Sequence, residues 1–187
     1  MFKKINFLNY KNIKLKKILK KDLEILRNER NSLHIRQRMI SQSIISKKNQ
    51  NKWYKKIINE KNSKYFNIFY KNELIGSGSI KNIDKKNMNC TWGFYIFNRF
   101  KGPYGLLSEI KIIENVFNIK NIQKLYGQTL QNNSAILKIH KFCGFKVEGV
   151  LKHHILRNGE KLDLILTSLF KKDWKKKKKK IRKILNI

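Results

Sequence analysis

Three β-rich runs in succession, followed by a glycine-punctuated loop and a helix, restrict the fold of this chain more than any other feature. Beyond residue 64 the runs read YFNIFY, ELIGSGSI and CTWGFYIF, with turn-prone residues between them. Short β-branched and aromatic runs joined by tight turns predict an antiparallel meander. The basic loop NRFKGPYGL comes next, and the apolar residues of LLSEIKIIENVF then recur at helical spacing.

The remaining segments place helices and strands around this meander. Asp22 can cap a first helix and a second amphipathic stretch follows, so the first third of the chain is predicted to be mostly helical. After residue 118 the pattern predicts a strand in KLYGQTL, a helix from Asn133, and two strands around the turn RNGE. The whole predicts a mixed α/β fold in a single domain over residues 1–172.

The C-terminal residues form a separate, strongly basic segment. Residues 173–187 contain a block of six consecutive lysines. Because like charges repel one another, this tail is predicted to be poorly ordered, or helical only at its end.

The composition of the chain is strongly basic. Lys and Arg number 44 against 12 Asp and Glu, which gives a net charge of +32. Such an excess ordinarily suggests nucleic acid, an anionic membrane or an acidic ligand as partner. Lysine, asparagine and isoleucine are abundant throughout while proline, alanine and arginine are sparse, as A/T-rich coding produces in any protein. We attribute most of the charge to this bias, and a nucleic-acid partner is not expected.

The cysteines and the apolar runs indicate the compartment. Cys90 and Cys143 lie far apart, without a CxxC pair or paired histidines, so neither a metal site nor a disulfide framework is expected. The N-terminus has no apolar core of signal-peptide length, and no run approaches the roughly 18 apolar residues of a membrane span. The sequence therefore predicts a soluble protein of the cytoplasm without a membrane span.

The loop between the third strand and the long helix is suited to hold a phosphate. Gly102 and Gly105 permit positive φ and a close backbone approach, so consecutive amide N–H groups can form an anion-binding nest where the helix begins. Arg99 and Lys101 add positive charge. The glycine pair alone is a weak signal, because an ordinary strand-to-helix turn uses glycine for the same steric reason.

The stretch LQNNSAILKIHKFCGFKVEG gives this loop its context. Asn133, His140, Gly144 and Phe145 resemble the N…(Y/H)…GF signature of the GCN5-related N-acetyltransferase (GNAT) family, in which it follows the acetyl-CoA pyrophosphate loop at about this distance. The resemblance covers residues 64–170. It implies the GNAT fold, a central, twisted and mostly antiparallel sheet flanked by helices, and an N-acetyltransferase with acetyl-CoA as cosubstrate.

The family pattern also implies roles for individual residues. By resemblance, the amides of a bulged strand within residues 93–96 bind the pantetheine and polarise the thioester carbonyl, and a nest of amides within residues 101–106 binds the pyrophosphate. Asn133 would bind the pantetheine arm, and His140 would lie close to the sulfur. The cofactor-binding residues implied in this way are Phe94, Tyr95, Ile96, Lys101, Gly102, Tyr104, Gly105, Leu106 and Asn133.

The chemistry of acetyl transfer explains these roles. As an amine attacks the thioester carbon, preorganised N–H groups stabilise the developing oxyanion, and a proton donor assists the departing thiolate. Family members usually have tyrosine as that catalytic donor, whereas this sequence has His140. A histidine with an ordinary pKa of about 6.5 can donate a proton, although only part of it is charged at neutral pH. The alternative, in which His140 only packs and hydrogen-bonds on a helix face, stays open.

Two departures from the family pattern affect the loop and the general base. The loop has one residue more between its glycines than the usual (Q/R)xxGx(G/A), and Pro103 removes one N–H from the nest. The preceding strand lacks the glutamate that often activates the amine. The base is therefore left open between His154 and a water held by Ser77, Ser79, Tyr95 or backbone groups.

The N-terminal third resembles one subgroup of the family. LRNERNSLHIRQRM and the following QNKWYKK are similar to the pattern of enzymes that acetylate the 4-amino group of a UDP-linked amino-deoxy sugar in pseudaminic acid biosynthesis. The substrate-binding residues implied by this resemblance are Arg27, Asn28, Met39 and Trp53. A nucleotide-sugar carries two phosphates and a flat uracil. These groups favour cations such as Arg27, Arg36 or Arg38 and an aromatic surface such as Trp53 or Tyr54.

Two other functions are kept as alternatives. The C-terminal stretch, with Gly149, the turn at Asn158 and Gly159, and Asp163, is equally similar to relatives that acetylate protein N-termini, notably those of ribosomal proteins. A non-catalytic binder of nucleic acid or of an anionic surface would explain the lysine tail, the altered loop and the missing glutamate. The sequence leaves the oligomeric state open, and a homodimer is one alternative.

Overall fold

The computed structural model describes residues 8–100 and 102–187, and the strands in these residues form one seven-stranded sheet. In chain order the strands are β1 (Ile13–Lys17), β2 (Lys64–Tyr70), β3 (Glu73–Asp84), β4 (Asn89–Ile96), β5 (Lys124–Leu130), β6 (Lys146–Arg157) and β7 (Glu160–Phe170). The α-helices of the same residues are α1 (Leu23–Asn31), α2 (Leu33–Arg36), α3 (Lys47–Ile57), α4 (Pro103–Phe117), α5 (Ser134–Cys143) and α6 (Lys171–Leu185).

The connectivity of the sheet follows the predicted meander. The strand order is β1-β2-β3-β4-β5-β7-β6, and neighbouring strands are antiparallel except for β4 and β5. The predicted mixed α/β fold with a mostly antiparallel sheet flanked by helices is therefore confirmed. The sequence does not predict β1, because lysines occupy three of the five positions in IKLKK, yet Ile13 is fully buried.

Helix α4 lies in the main hydrophobic core. Leu107, Ile110, Ile113 and Val116 are at most 1% exposed, and they share one cluster with sheet residues such as Ile68. An apolar helix surface is stable only when it is covered, so these buried residues fix α4 against the sheet. A second cluster packs the N-terminal helices and consists of Ile18, Leu23, Leu26, Ile35, Ile57 and Phe97.

The lysine-rich C-terminus is an ordered helix. Trp174, Ile181 and Leu185 of α6 are at most 3% exposed and belong to the main core. On the same helix, Lys178 and Arg182 pair with Glu114 of α4 at 2.8 and 3.1 Å. The prediction of a poorly ordered tail is therefore wrong, because the burial of a tryptophan and two aliphatic residues outweighs the repulsion between exposed lysines.

The parallel strands β4 and β5 separate after three residue pairs. Residues 89–91 pair with β5, whereas β4 continues to Ile96 beside β3 alone. The ring of Trp92 on β4 lies against Gly127 of β5, at the point where the two strands separate. The contact is so close that a Cβ added to Gly127 would lie 2.7 Å from Trp92 Cζ3. The pairing of β3 with β4 has no register shift within residues 93–96. The expectation of a bulge in these residues is therefore wrong. The opening in the sheet comes from the separation of the two strands.

Candidate active site

The gap between β4 and β5 opens into a cavity of about 650 Å³. This volume lies within the range that is typical of small-molecule sites. Strands β3, β4 and β5 line one side, and α1, α3 and residues 38–45 line the other. The predicted site residues that line it are Met39, Trp53, Phe94, Tyr95, Asn133 and His140.

Strand β4 presents backbone groups without a strand partner to this cavity. Beyond Thr91 it has β3 on one side only, because β5 has turned away on the other. Phe94 and Tyr95 line the cavity, whereas Ile96 lies outside its lining. Free backbone N–H groups can donate to a carbonyl oxygen on which negative charge develops. The separation of the strands can therefore do what the family pattern attributes to a bulge.

The loop before α4 ends in a helix N-terminus shaped by Gly102. This residue has a φ of +82°, which glycine adopts without strain, and Pro103 is the first residue of the helix. The first N–H groups of a helix have no intrahelical acceptor, so the N–H that Pro103 lacks would not support the helix in any case. Gly105 N–H donates to Gly102 O at 3.2 Å, and Tyr104 follows directly in the first turn.

The other predicted loop residues contribute unequally to an anion site. Arg99 pairs with Glu29 at 3.3 Å and with Glu73 at 3.8 Å, so its charge is already neutralised by the protein. Lys101 lies outside the described residues. Leu106 is 2% exposed and can offer only its backbone. The groups at this end of α4 that could hold a phosphate are therefore the first-turn amides.

Helix α5 brings Asn133 and His140 to the cavity. Asn133 is its half-buried N-cap residue, and Gly144, with a φ of +97°, ends it. His140 is 5% exposed, and its ring centroid lies 5.3 Å from that of Trp92 and 5.0 Å from that of Phe145. Burial lowers the pKa of His140 to about 4. The imidazole is therefore neutral at pH 7, and the expectation of a partly charged ring is wrong.

A buried glutamate lies next to His140. Glu109 of α4 is 0% exposed, and its Oε1 accepts a hydrogen bond from Trp92 Nε1 at 3.1 Å and lies 3.8 Å from His140 Nε2. Burial raises the pKa of Glu109 to about 8. This residue is not among the predicted site residues. Its signal is an acidic position among the apolar residues of GLLSEIKII, on the same helix face as Leu106, Ile112 and Ile113.

The cations of the acceptor side differ in part from the predicted ones. Arg30, Arg38 and Lys81 line the cavity. Arg27, which the family pattern assigns to the acceptor, pairs instead with Glu24 at 2.6 Å and lies outside the lining. Residues three apart share a helix face, so Arg30 stands on the predicted face of α1, one turn nearer to the cavity.

Arg30 has an unused donor. Its Nη2 donates to Ser41 O at 3.1 Å, whereas its Nη1 is buried without a hydrogen-bond partner among the described residues. A buried guanidinium N–H that lacks an acceptor can bind an anionic ligand. Asn28 is exposed, Arg36 Nη1 donates to Gln42 O at 3.3 Å, and neither Asn28 nor Arg36 lines the cavity.

Aromatic rings complete the acceptor side of the cavity. Trp53 packs edge-on against Tyr65, with the ring centroids 5.8 Å apart, and both line the cavity together with Tyr95. No aspartate or glutamate occurs among the described residues that line it. The charged side chains of the described lining are therefore all basic, which favours an anionic over a cationic acceptor.

The candidates for the general base differ in whether they line the cavity and in their ability to accept a proton. Ser77 and Ser79 line the cavity, and Ser77 Oγ donates to Phe66 O at 3.0 Å. Burial raises the pKa of Tyr95, so its phenol stays protonated at neutral pH. His154 is exposed on β6 and lies outside the lining. A water held by the serines stays a prediction.

Three further properties of the described part of the chain bear on function. None of its helices is long and apolar enough to cross a membrane. It contains no group of three or more His, Cys, Asp or Glu side chains that could hold a metal ion. Cys90 and Cys143 are buried free thiols.

Comparison with known sequences identifies a protein family and a curated relative. Residues 15–166 match the model of the acetyltransferase (GNAT) domain family. The relative, "Putative ribosomal N-acetyltransferase YdaF" of Bacillus subtilis (strain 168), is 26% identical over 113 residues. The matched part is 59% of this chain, and the chain spans 61% of the length of that relative.

Solved structures share the fold. A spermidine N-acetyltransferase from Vibrio cholerae, crystallised with CoA and spermine, has a TM-score of 0.82 at 19% identity, over 88% of this chain and 98% of that one. A protein described as a probable acetyltransferase has a TM-score of 0.74 at 21% identity, over 89% and 98%. Acetyl-CoA is the cosubstrate typical of the family, and the separated strands and the α4 N-terminus suit it. Since the family model spans most of the sequence, this chain belongs to the acetyltransferase (GNAT) domain family.

Proposed function

We propose that this protein transfers the acetyl group of acetyl-CoA to the 4-amino group of a UDP-linked amino-deoxy sugar, by direct transfer in a ternary complex. The observation that carries the proposal is the charge of the acceptor cavity. Arg30, Arg38 and Lys81 line it, and no acidic residue does among those described. A diphosphate matches these cations, and a uracil ring matches the pair formed by Trp53 and Tyr65.

The cavity wall offers a group for each stage of the transfer. The first-turn amides of α4 would bind the pyrophosphate, and Asn133 the pantetheine arm. The free backbone groups at Phe94 and Tyr95 would stabilise negative charge on the thioester oxygen. His140, at the cavity wall, would give a proton to the departing sulfur. Acetyl-CoA supplies an acyl group that is already activated, so no covalent enzyme intermediate is required.

The same cavity disfavours polycationic acceptors. The similar Vibrio cholerae structure contains spermine, and a polyamine of this kind is held best by carboxylates. Two like charges about 4 Å apart repel by about 1 kcal/mol in water and about 4 kcal/mol at the effective dielectric of a protein surface. With three cations and no described acid at the wall, such repulsion acts on each amine of a polyamine.

The acceptor is tested by comparing three amines in one assay. The purified protein is incubated with acetyl-CoA and with a UDP-4-amino-4,6-dideoxy sugar, spermidine, or a peptide with the N-terminal sequence of a ribosomal protein. Release of free CoA is followed with a thiol reagent. We expect release with the nucleotide-sugar and competition by UDP. Release with the peptide alone would contradict the proposed acceptor and favour the function named for the Bacillus subtilis relative. Release with spermidine alone would contradict it and favour the function named for the Vibrio cholerae structure.

A matched pair of arginine variants tests the role of charge. Arg38→Gln should lower kcat/KM for the nucleotide-sugar about tenfold or more, since a charge-assisted hydrogen bond contributes roughly 1.5–3 kcal/mol. The KM for acetyl-CoA should not change. Arg182→Gln is the control, because Arg182 pairs with Glu114 on the far helix α6 and lies outside the cavity lining. Equal kinetics for the two variants would contradict the proposed phosphate contact.

We place this reaction in the cytoplasm. Acetyl-CoA is an intracellular metabolite, and a nucleotide-sugar is made from intracellular nucleotides. Cys90 and Cys143 are free, which suits a reducing compartment.

A further inference from the structure

Two polar atoms inside the protein, on adjacent side chains, lack a partner. Oε2 of Glu109 and Nδ1 of His140 are both buried without a hydrogen bond among the described residues. The other atoms of the same groups, Glu109 Oε1 and His140 Nε2, lie 3.8 Å apart. An unsatisfied buried polar atom costs free energy, so a pair of them beside a cavity calls for an explanation.

The surroundings of Glu109 favour its neutral form. Trp92 Nε1 donates to it from β4, His140 and Cys143 approach from α5, and Lys177 of α6 lies against Gly144 next to Cys143. Among the described residues, the only ion-pair distance of Glu109 is the one to His140. A buried carboxyl without a cationic partner keeps its proton, and a buried imidazole loses its own. The pair is therefore a carboxylic acid beside a neutral imidazole.

A neutral pair of this kind has one favourable arrangement. The acid donates its hydrogen from Oε1 and Nε2 of His140 accepts it, because the reverse arrangement would place the acid hydrogen on Oε2, which has no acceptor among the described residues. The hydrogen of the imidazole is then on Nδ1, the nitrogen without a protein partner. A modest approach closes the present 3.8 Å to hydrogen-bonding distance, as is common when a catalytic site binds its ligands.

We propose that Glu109 is a positioning residue that acts through His140: it fixes the tautomer with hydrogen on Nδ1 and resupplies the proton that His140 gives to the departing sulfur. This inference rests on the proposed role of His140 in acetyl transfer. It does not depend on which amine is the acceptor.

The proton transfers balance over one turnover. The N–C bond to the acceptor forms as the C–S bond breaks, and the sulfur leaves with the electron pair. The sulfur takes the hydrogen of His140 Nδ1 while Nε2 takes the hydrogen of Glu109. The acceptor nitrogen releases one proton to water. A proton from this water enters at Nδ1, the hydrogen on Nε2 returns to Glu109, and the pair is restored.

Kinetics of single and double variants test this relay. Glu109→Gln can still donate an N–H to Nε2 but has no acidic proton, so kcat should fall about 100-fold, the lower end of the range for general acid–base catalysis, with the KM for acetyl-CoA nearly unchanged. His140→Phe should have a similar effect, and the double variant should be no slower than His140→Phe alone. Ser108→Ala is the control, because Ser108 is fully buried next to Glu109 but is not part of the proposed relay.

The pH profile gives a second kinetic test. The relay requires the acid form of Glu109, whose pKa is about 8. The kcat of the wild type should therefore decline as the pH rises through 8, and Glu109→Gln should lack this decline. A decline that is equal in both proteins would overturn the inference.

A spectroscopic readout needs neither acceptor nor turnover. Two-bond ¹⁵N–¹H correlations of the wild type with bound CoA should show the Nδ1–H tautomer of His140 at pH 7. The tautomer should be kept in Glu109→Gln and lost in Glu109→Met. An Nε2–H tautomer in the wild type would overturn the inference even if a variant failed to fold.

The outcomes separate this inference from the role on which it rests. Loss of turnover in both His140→Phe and Glu109→Gln, without additivity, supports both. Loss in His140→Phe with normal turnover in Glu109→Gln overturns the relay and leaves His140 as the donor. Normal turnover in His140→Phe overturns the donor role and the relay together.

Discussion

Replacing Glu109 with glutamine should stabilise the protein at neutral and alkaline pH. The pKa of Glu109 is about 8 in the folded protein against 4.5 for the ordinary group. This difference of about 3.5, at 1.36 kcal/mol per pKa unit, amounts to roughly 5 kcal/mol. The folded state holds this proton more tightly than the unfolded state, so the contribution of Glu109 to the free energy of unfolding declines from pH 4.5 to pH 8. Glutamine does not ionise, so its contribution to the free energy of unfolding does not decline with pH.

Urea denaturation at three pH values measures the effect. The free energy of unfolding of Glu109→Gln minus that of the wild type should be about 1 kcal/mol at pH 5, about 3 at pH 7 and nearly 5 at pH 9, apart from a constant offset for the amide. Titrating groups that do not contact Glu109 cancel in this difference. A difference that does not change with pH would refute the reasoning, since it would mean that Glu109 ionises as easily in the folded state as in the unfolded one.

Glu114, on the same helix, is the matched control. Burial alone would raise its pKa, but the hydrogen bonds from Lys178 and Tyr10 outweigh burial and lower it. A lowered pKa contributes stability that is present above pH 4.5 and is lost as the pH falls through the folded value. Glu114→Gln should therefore destabilise the protein by an amount that is constant from pH 5 to pH 9. The two substitutions on one helix should therefore change the free energy of unfolding in opposite directions and with different pH dependence.

Three further substitutions probe the fold and the site. Trp174→Ala should destabilise the protein by about 3–5 kcal/mol in urea denaturation, as a buried large side chain does, whereas Lys176→Gln on the exposed face should have no measurable effect. Gly127→Ala should cost about 1–3 kcal/mol and weaken acetyl-CoA binding in calorimetry, because the new Cβ would collide with the Trp92 ring between the separated strands. His140→Phe should lower kcat more than it raises the KM for acetyl-CoA, and an unchanged kcat would leave residue 140 as a packing residue.

The elements that the sequence predicts are those whose signals are local. The runs that become β2, β3 and β4 carry their own β-branched residues and turns, and α4 carries its own apolar period. Strand β1 and helix α6 lack such signals, because lysine dominates both. Both elements are ordered because a few apolar side chains, such as Ile13 and Trp174, pack into a core that other elements form. Tertiary packing of this kind is not visible in a local window.

In the candidate site, too, local sequence patterns predict individual residues but not the contacts between distant segments. Asn133, His140, Phe94 and Tyr95 line the cavity as the family pattern places them. The separation of β4 from β5 is a property of two segments that are distant in sequence, so the pattern of either segment alone cannot predict it. The proximity of Glu109 to His140 likewise joins two helices through the ring of Trp92.

The positions of the acidic residues say more about the acceptor than the number of basic ones. With 44 Lys and Arg, a cation near any site is expected by chance, whereas the 12 Asp and Glu are scarce. Most of these acids hold the fold together: Glu114 joins α4 to α6, Glu148 binds Lys124, and Asp163 binds Lys152 and the backbone of His153. A cavity that bound polycations would need some of these few carboxylates at its wall, yet the described lining has none, and the nearby buried one, Glu109, is kept neutral. An anionic acceptor is therefore consistent with where this chain places its scarcest charge.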